Sequence, residues 1–399
     1  MKLLKKLLYF IRCDLIFILS HFIPKNKKLW IFGSSFGQKY WGNTKYFFNY
    51  LNKNHPDIQA VWLTKNTNVL NHITNLGYKV YDACSIKGIW LTMRAYCCFI
   101  THDLFDINEY ASGIIKIIQL RRGTPFLYVK NEKKLPKKSL IFNIIKLKFP
   151  LFMNNATHWD NALVITTSKE ISNIYVKYFN HRKNLTVVTG YPRNDILLNP
   201  LPLKIALKDQ INAFRANGYQ IGIFIPHGNF TSFTDSIKSI HESLDKIKTV
   251  LFVHPYSCAK NYGEAISDNY KNIIFLTEKD IQWDLYPILP YMDFLITDYS
   301  TIFFDFLLLD KPILFAPLDI NLRFFYSYSK IAPGPILKIW DDLTKEIKNL
   351  KKLSDKYAIK RKKICDRFNT FKDAKSCERV FKETESFLST NGDFKKEIF

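Results

Sequence analysis

The sequence contains no G-x-G-x-x-G, no G-x-x-x-x-G-K-[ST] and no G-x-S-x-G. Their absence removes the dinucleotide fingerprint, the P-loop and the hydrolase nucleophile elbow. There is no C-x-x-C and no His/Cys cluster at metal-ligand spacing, and the seven cysteines, an odd number, fit a reducing compartment and argue against zinc. Asp-x-Asp is missing too, the close carboxylate pair that commonly holds a divalent cation on a nucleotide diphosphate, so neither a metal nor another cofactor is expected. At the N-terminus the longest uncharged stretch, Leu15 to Pro24, falls well short of the ~20 residues of a spanning helix. No small-x-small cleavage site follows it, so a removable signal peptide is not expected. Internal repeats and low-complexity tracts are also absent. Acidic residues are scarce: 35 Asp and Glu stand against 58 Lys and Arg, a formal charge of +23.

That excess implies anionic company, which nucleic acid, an anionic lipid surface or a phosphorylated substrate would each provide, although part of it reflects a general richness in Lys, Ile, Asn, Phe and Tyr. With 47% hydrophobic and 16% aromatic residues the chain is not disordered, and 399 residues predict two domains of roughly 150 to 200 each. Cys97 and Cys98 lie in an apolar run and read as core.

In "MKLLKKLLYFIRCDLIFILSHFIPKNKK", Leu3, Leu7, Ile11, Leu15, Ile18 and Phe22 fall on one helical stripe, interrupted in sequence by Arg12 and Asp14. Residues 1–28 are therefore read as an interfacial helix on an anionic leaflet, the alternative being a helix packed on the protein's own core. Seven lysines between Lys130 and Lys148 beside an apolar segment form a second basic tract, either a membrane- or substrate-facing patch or a solvated loop and helix. The charges of "DDLTKEIKNLKKLSDKYAIKRKKICDRF" read as a solvated helix face.

From "KLWIFGSSFG" onward, strand patterns alternate with helix patterns, which predicts parallel βαβ units under sheets covered on both faces. The pattern restarts at "YQIGIFIPHGN" after a seam near residues 195 to 218. The expected division is residues 29–200 for an N-terminal Rossmann-like domain and 201–399 for a C-terminal one that ends in a final helix.

Ligands of doubly wound sheets bind beyond the carboxyl ends of the strands. There "LITDYSTIFFDF" places Thr297, Asp298, Tyr299, Ser300 and Thr301 between a strand and a helical stripe of Ile302, Phe303, Phe306 and Leu309. An ordinary N-cap needs one such residue, and five in a row point to a phosphate or pyrophosphate site. "FVHPYS", "FIPHGN" and "FITHDLFD" put His254, His227 and His102 with Asp103 at strand ends, where a His serves as general base or phosphate donor. Arg121 and Arg122 in "RRGTP" and Arg193 in "GYPRND" offer guanidinium forks to phosphate oxygens, with surface salt bridging as the competing account.

In order and spacing these segments resemble the CDP-glycerol:poly(glycerol phosphate) glycerophosphotransferases, the family of teichoic-acid primases and polymerases and related capsule enzymes. "FGSSFGQKYWGNTKYFFNYL", "IIQLRRGTP", "GYPRND", "FIPHGN", "VHPY", "DLYPILPYMDFLITDYSTIFFDFLLLDKPILF", "APGPI" and "FKDAKSCERVF" carry the likeness over most of the chain after about residue 28. The resemblance implies an α/β protein of GT-B type, two doubly wound Rossmann-like domains facing across a cleft. It implies an acceptor held by the N-terminal domain and a CDP-alditol donor bound by the C-terminal domain, with Asp298, Ser300, Thr301 and His254 on the pyrophosphate. Thr297, Asp305, Arg193, Asn43, Gly123 and Thr124 complete the expected substrate-binding set, and His254, His227, Arg122, His102 and Asp103 form the expected catalytic set. An acceptor hydroxyl would attack the β-phosphorus and release CMP, with positioning and electrostatic stabilisation lowering the barrier.

The implied acceptor is a polyprenyl- or lipid-linked glycan. The implied location is peripheral, on the cytoplasmic face of the membrane, with no nucleic acid as partner. Two departures from the family pattern stand out. Arg122 replaces the His of "HGTP", and an Arg is not a general base at neutral pH. Asp373-Ala374-Lys375 replaces Asp-Gly-Lys near the end. The alternatives are a GT-B glycosyltransferase that uses a nucleotide sugar, a non-catalytic polymer-binding protein, and a nucleic-acid-binding protein, which would show steeply salt-dependent binding.

Overall fold

The structure is a computed structural model, and it describes residues 2–126, 160–226, 231–254, 270–282, 284–316 and 325–390. His227 and the Lys130–Lys148 tract lie outside the described residues.

The chain forms two compact α/β units. The first carries a seven-stranded sheet in the order β3-β2-β1-β4-β5-β6-β7. Its strands are β1 (Asn26–Phe32), β2 (Gln59–Thr64), β3 (Val80–Asp82), β4 (Ala95–Ile100), β5 (Lys116–Gln119), β6 (Leu163–Thr166) and β7 (Thr186–Val188), all paired in parallel. Strand residues alternate between two cores. Trp30, Phe32, Trp62, Cys97 and Phe99 pack on one face, and Leu29, Ile31, Val61, Leu63, Cys98 and Ile100 on the other. Because both faces are covered, the central residues of these strands are apolar in succession, and the adjacent cysteines are buried on opposite sides. The short β3 escaped the sequence reading: three residues of an edge strand, none fully buried, leave no periodic signal.

The second unit carries β8 (Gln220–Ile225), β9 (Thr249–Val253), β10 (Ile273–Phe275), β11 (Phe294–Thr297) and β12 (Ile313–Phe315), parallel in the order β10-β9-β8-β11-β12. Gly222 on β8 pairs with Phe294 on β11, and a Cβ there would run into the Phe294 ring, so only glycine fits.

The expected boundaries need two corrections. The first unit includes the described residues up to 122, from 160 to 193 and from 375 on, so the final helix Ser376–Ser389 belongs to it and not to the C-terminal domain. Cys377, Val380 and Leu388 join the Trp30–Phe99 core, while the Leu388 carbonyl accepts from the Tyr96 hydroxyl (3.0 Å) and the Lys116 ammonium (3.1 Å). Nor is the N-terminal segment separate. The helix Lys2–Ser20 buries Cys13 with Met93, Tyr110 and Ala111, with Phe10, Ile16 and Phe17 packed around them, and β1 begins at Asn26. The stripe read from the sequence is the face left open: Leu7, Ile11, Leu15, Ile18 and Phe22 are 40–78% exposed. Among the described residues no helix is long and apolar enough to cross a membrane. Ala374 adopts φ +56°, the left-handed conformation that the family's glycine would take without strain.

Candidate active site

In the second unit the strand order reverses between β8 and β11, the switch point at which open α/β sheets bind ligands. His254 follows β9 and Asp298 follows β11, one on each side of β8 and roughly 10 Å apart by strand spacing. The His254 amide donates to the Phe224 carbonyl (2.9 Å), which holds the residue against the end of β8.

The polar cluster divides its labour. Thr297 is fully buried and its hydroxyl donates to the Ile225 carbonyl (2.8 Å), so this expected ligand residue is a tie between β11 and β8. Asp298 Oδ1 accepts from the Ser300 amide (3.2 Å), and Ser300 Oγ accepts weakly from the Ile302 amide (3.5 Å). Thr301 precedes the helix Ile302–Phe306 without capping it through its side chain. Ser300 and Thr301 are half-buried at the surface of this turn. Tyr328 donates its hydroxyl to the Asp298 carbonyl (2.7 Å), and burial, reinforced by the Asp298 charge, pushes its phenol pKa upward, so it stays a donor. Asp305 is fully buried and accepts from the Tyr286 hydroxyl (2.6 Å) and the Asn194 amide (3.2 Å). Asp305, expected among the substrate-binding residues, here ties these two side chains together inside the unit.

The first unit has its own switch point between β1 and β4. Here His102 and Asp103 follow β4, but the carboxylate that meets His102 is Asp106, which the sequence reading missed. The turn Leu104–Asp106 folds back so that Asp106 Oδ1 lies 3.5 Å from His102 Nδ1. Asp103 instead accepts from the Phe105 amide (3.0 Å) as the cap of that turn, and burial raises its pKa. Asp106 is fully buried and accepts from the amides of Phe36 (2.6 Å), Thr101 (2.7 Å) and His102 (2.9 Å) and from the Thr101 hydroxyl (2.9 Å). Burial alone would raise its pKa; the hydrogen bond and charge of His102 and the backbone donors outweigh it and hold the carboxyl below its usual range. Gly33 at the end of β1 allows the backbone of Asp106 to approach, since a Cβ there would collide with the Asp106 carbonyl.

Asn43 and Arg193 also change role. Asn43 is fully buried, donating to the carbonyls of Leu120 (2.8 Å) and Arg121 (3.0 Å) and accepting from the Arg193 amide (3.2 Å). Arg193 is itself buried and donates to the Arg122 carbonyl. Both residues brace the loop that presents Arg122. Arg121, at φ +60°, turns its Nε to the Tyr175 hydroxyl (2.8 Å). The Arg122 side chain is exposed and makes no hydrogen bond or ion pair among the described residues. Two residues on, in the second unit, the Thr124 hydroxyl is buried with no hydrogen-bond partner among the described residues. Among the described residues no group of three His, Cys, Asp or Glu is placed to hold a metal ion.

The family described as CDP-Glycerol:Poly(glycerophosphate) glycerophosphotransferase matches residues 15–385. The chain is 24% identical over 390 residues to the teichoic acid poly(glycerol phosphate) polymerase of Bacillus subtilis (strain 168), covering 92% of this chain and 50% of that one. It is 28% identical over 361 residues to the protein of the same name from Bacillus spizizenii, covering 85% of this chain and 87% of that one. The chain thus spans about half the length of the first relative and most of the second. The solved structure of the wall teichoic acid polymerase TagF superposes with a TM-score of 0.73 at 20% identity, covering 96% of each chain, which establishes the GT-B type of fold. By a family match that takes in both units, the chain belongs to the CDP-glycerol:poly(glycerophosphate) glycerophosphotransferase family.

Proposed function

We propose that this protein transfers glycerol phosphate from CDP-glycerol to a hydroxyl of a teichoic-acid-like polymer and releases CMP. The observation that carries the reading is the turn Asp298–Thr301 and His254 at strand ends on the two sides of β8, at the switch point of the second unit, within a chain of this family. Ser300, Thr301 and His254 bind the donor pyrophosphate there, while Asp298 shapes the turn. The first unit handles the acceptor. Arg122, permanently charged and exposed, replaces a titratable His with an electrostatic clamp on phosphate oxygens. No metal takes part; helix-terminal amides, His and Arg neutralise the phosphates.

The acceptor is lipid-linked, and the protein works at the anionic cytoplasmic leaflet of the membrane, peripherally. The open Leu7–Phe22 stripe of a helix whose other face is docked supports this reading. CMP release measured over CDP-glycerol, CDP-ribitol and nucleotide sugars, with a primed polymer acceptor, tests the function. Release from CDP-glycerol is expected; release of other nucleotides alone, or no release from any CDP-alditol, refutes it.

A further inference from the structure

The hydrogen bonds beneath His102 determine which of its nitrogens carries the proton. Thr101 Oγ1 lies 2.9 Å from Asp106 Oδ2 and 2.8 Å from His102 Nδ1. A hydroxyl has one proton to give, and an ionised carboxylate only accepts, so Thr101 donates to Asp106. Thr101 Oγ1 must then accept from His102, which leaves the proton on Nδ1. The Ser35 amide also points at Thr101 Oγ1 (3.3 Å), consistent with an oxygen whose lone pairs face these donors.

The ring is fixed from other sides as well. Its centroid lies 4.5 Å from that of Phe36, on a turn where Ser35 and Phe36 both take left-handed φ values of 51° and 58°. The Phe36 amide is pinned in that conformation by Asp106 Oδ1. Gln119 Nε2 donates to the His102 carbonyl (2.7 Å). Strained residues over-determined in this way are a mark of sites held for a purpose.

We infer that His102 is the general base of the transfer, acting through Nε2, with Thr101 and Asp106 as positioning residues that fix its tautomer and orientation. The inference rests on the transferase reading. In the step, the acceptor hydroxyl oxygen forms a bond to the β-phosphorus and its proton passes to His102 Nε2. The bond from that phosphorus to the bridging oxygen breaks, and CMP departs with the electron pair. The imidazolium then returns its proton to solvent. This supplies the base that Arg122 does not.

Among the described residues, the charged groups around the ring are Asp106 and Asp103 on its own loop and, beyond the Leu104–Asp106 turn, the Lys65–Glu109 pair (3.1 Å), whose Lys65 also donates to the Phe105 carbonyl. Ser35, Phe36 and Gln119, which pack against it, do not titrate, and Arg121 is turned to Tyr175.

The test has two arms. Imidazole nitrogens of 15N-histidine-labelled protein are read by NMR, with His102→Gln identifying the signal. The Nδ1–H tautomer is expected in the wild type and the Nε2–H form in Asp106→Asn, whose amide can donate to Nδ1. An Nε2–H wild type overturns the network without reference to activity. In the second arm, His102→Ala is expected to cut CMP release from CDP-glycerol by about 10²- to 10⁴-fold, as loss of a general base does, with partial rescue by free imidazole. Thr101→Val is expected to shift the acid limb of the pH–rate profile, which loss of packing alone would not do. Full activity in His102→Ala overturns the base role. A wild type that releases no CMP refutes the transferase reading instead, and the tautomer still decides the network.

Discussion

Asn43→Ala separates a brace from a ligand. Asn43 is fully buried and satisfies three backbone groups: the carbonyls of Leu120 and Arg121 and the amide of Arg193. Removing the side chain orphans them at about 1–3 kcal/mol each, and relaxation with some water entry reduces the sum to about 2–4 kcal/mol. For a unit of this size that is a fall in Tm of roughly 5–15 °C. The same loss frees the loop that presents Arg122, so kcat is expected to fall as well, while donor affinity, if the donor binds the second unit as proposed, is expected to change by less than about twofold (each ~1.4 kcal/mol being tenfold). Chemical denaturation with two probes, one per unit, combined with CMP-release kinetics, measures all three quantities. A variant of unchanged stability with a raised KM for CDP-glycerol would refute the bracing role and restore Asn43 as a ligand.

Further outcomes follow from the same geometry. Ala374→Gly relieves a left-handed alanine, a gain of about 1–2 kcal/mol less about 0.5–1 kcal/mol for the freer unfolded chain, so the denaturant midpoint should rise by a small, measurable amount; a fall refutes the strain. Because the folded Asp106 carboxyl lies below its unfolded value, the unfolded chain binds more protons in the acid range. Its stabilisation is complete above the ordinary carboxylate range and is lost as pH falls below about 4, so the difference in midpoint between wild type and Asp106→Asn should shrink from pH 7 to pH 3. Ser300→Ala should weaken donor binding in calorimetry with CDP-glycerol while leaving the fold intact, and unchanged affinity removes it from the pyrophosphate site. Leu15→Glu, on the open face, should reduce sedimentation with anionic vesicles without unfolding the protein; equal binding refutes the membrane reading.

The fold class was legible because its signal is local. Strands such as β4 and β11 are nearly continuous apolar runs, and the turn residues after them mark where the sheet ends, so the parallel architecture and the Asp298–Thr301 cluster could be read directly. The family motifs added order and spacing to that reading. The three-residue β3 carried too little periodicity to be seen.

Roles within the site were a different matter, because a side chain's role depends on what lies opposite it. The sequence pairs His102 with its neighbour Asp103; the turn Leu104–Asp106 instead aims Asp106 back under the ring and leaves Asp103 as its cap. Asn43, Arg193, Thr297 and Asp305 have the chemistry of ligands, yet each is buried and hydrogen-bonded to groups between 19 and 150 residues away. The sequence alone settled the sheet type, the positions of the polar strand ends and the excess of basic charge. Only the tertiary structure decided which polar residues face solvent, which unit takes the last helix and which face of the first helix stays open, because those outcomes depend on contacts between residues far apart in the chain.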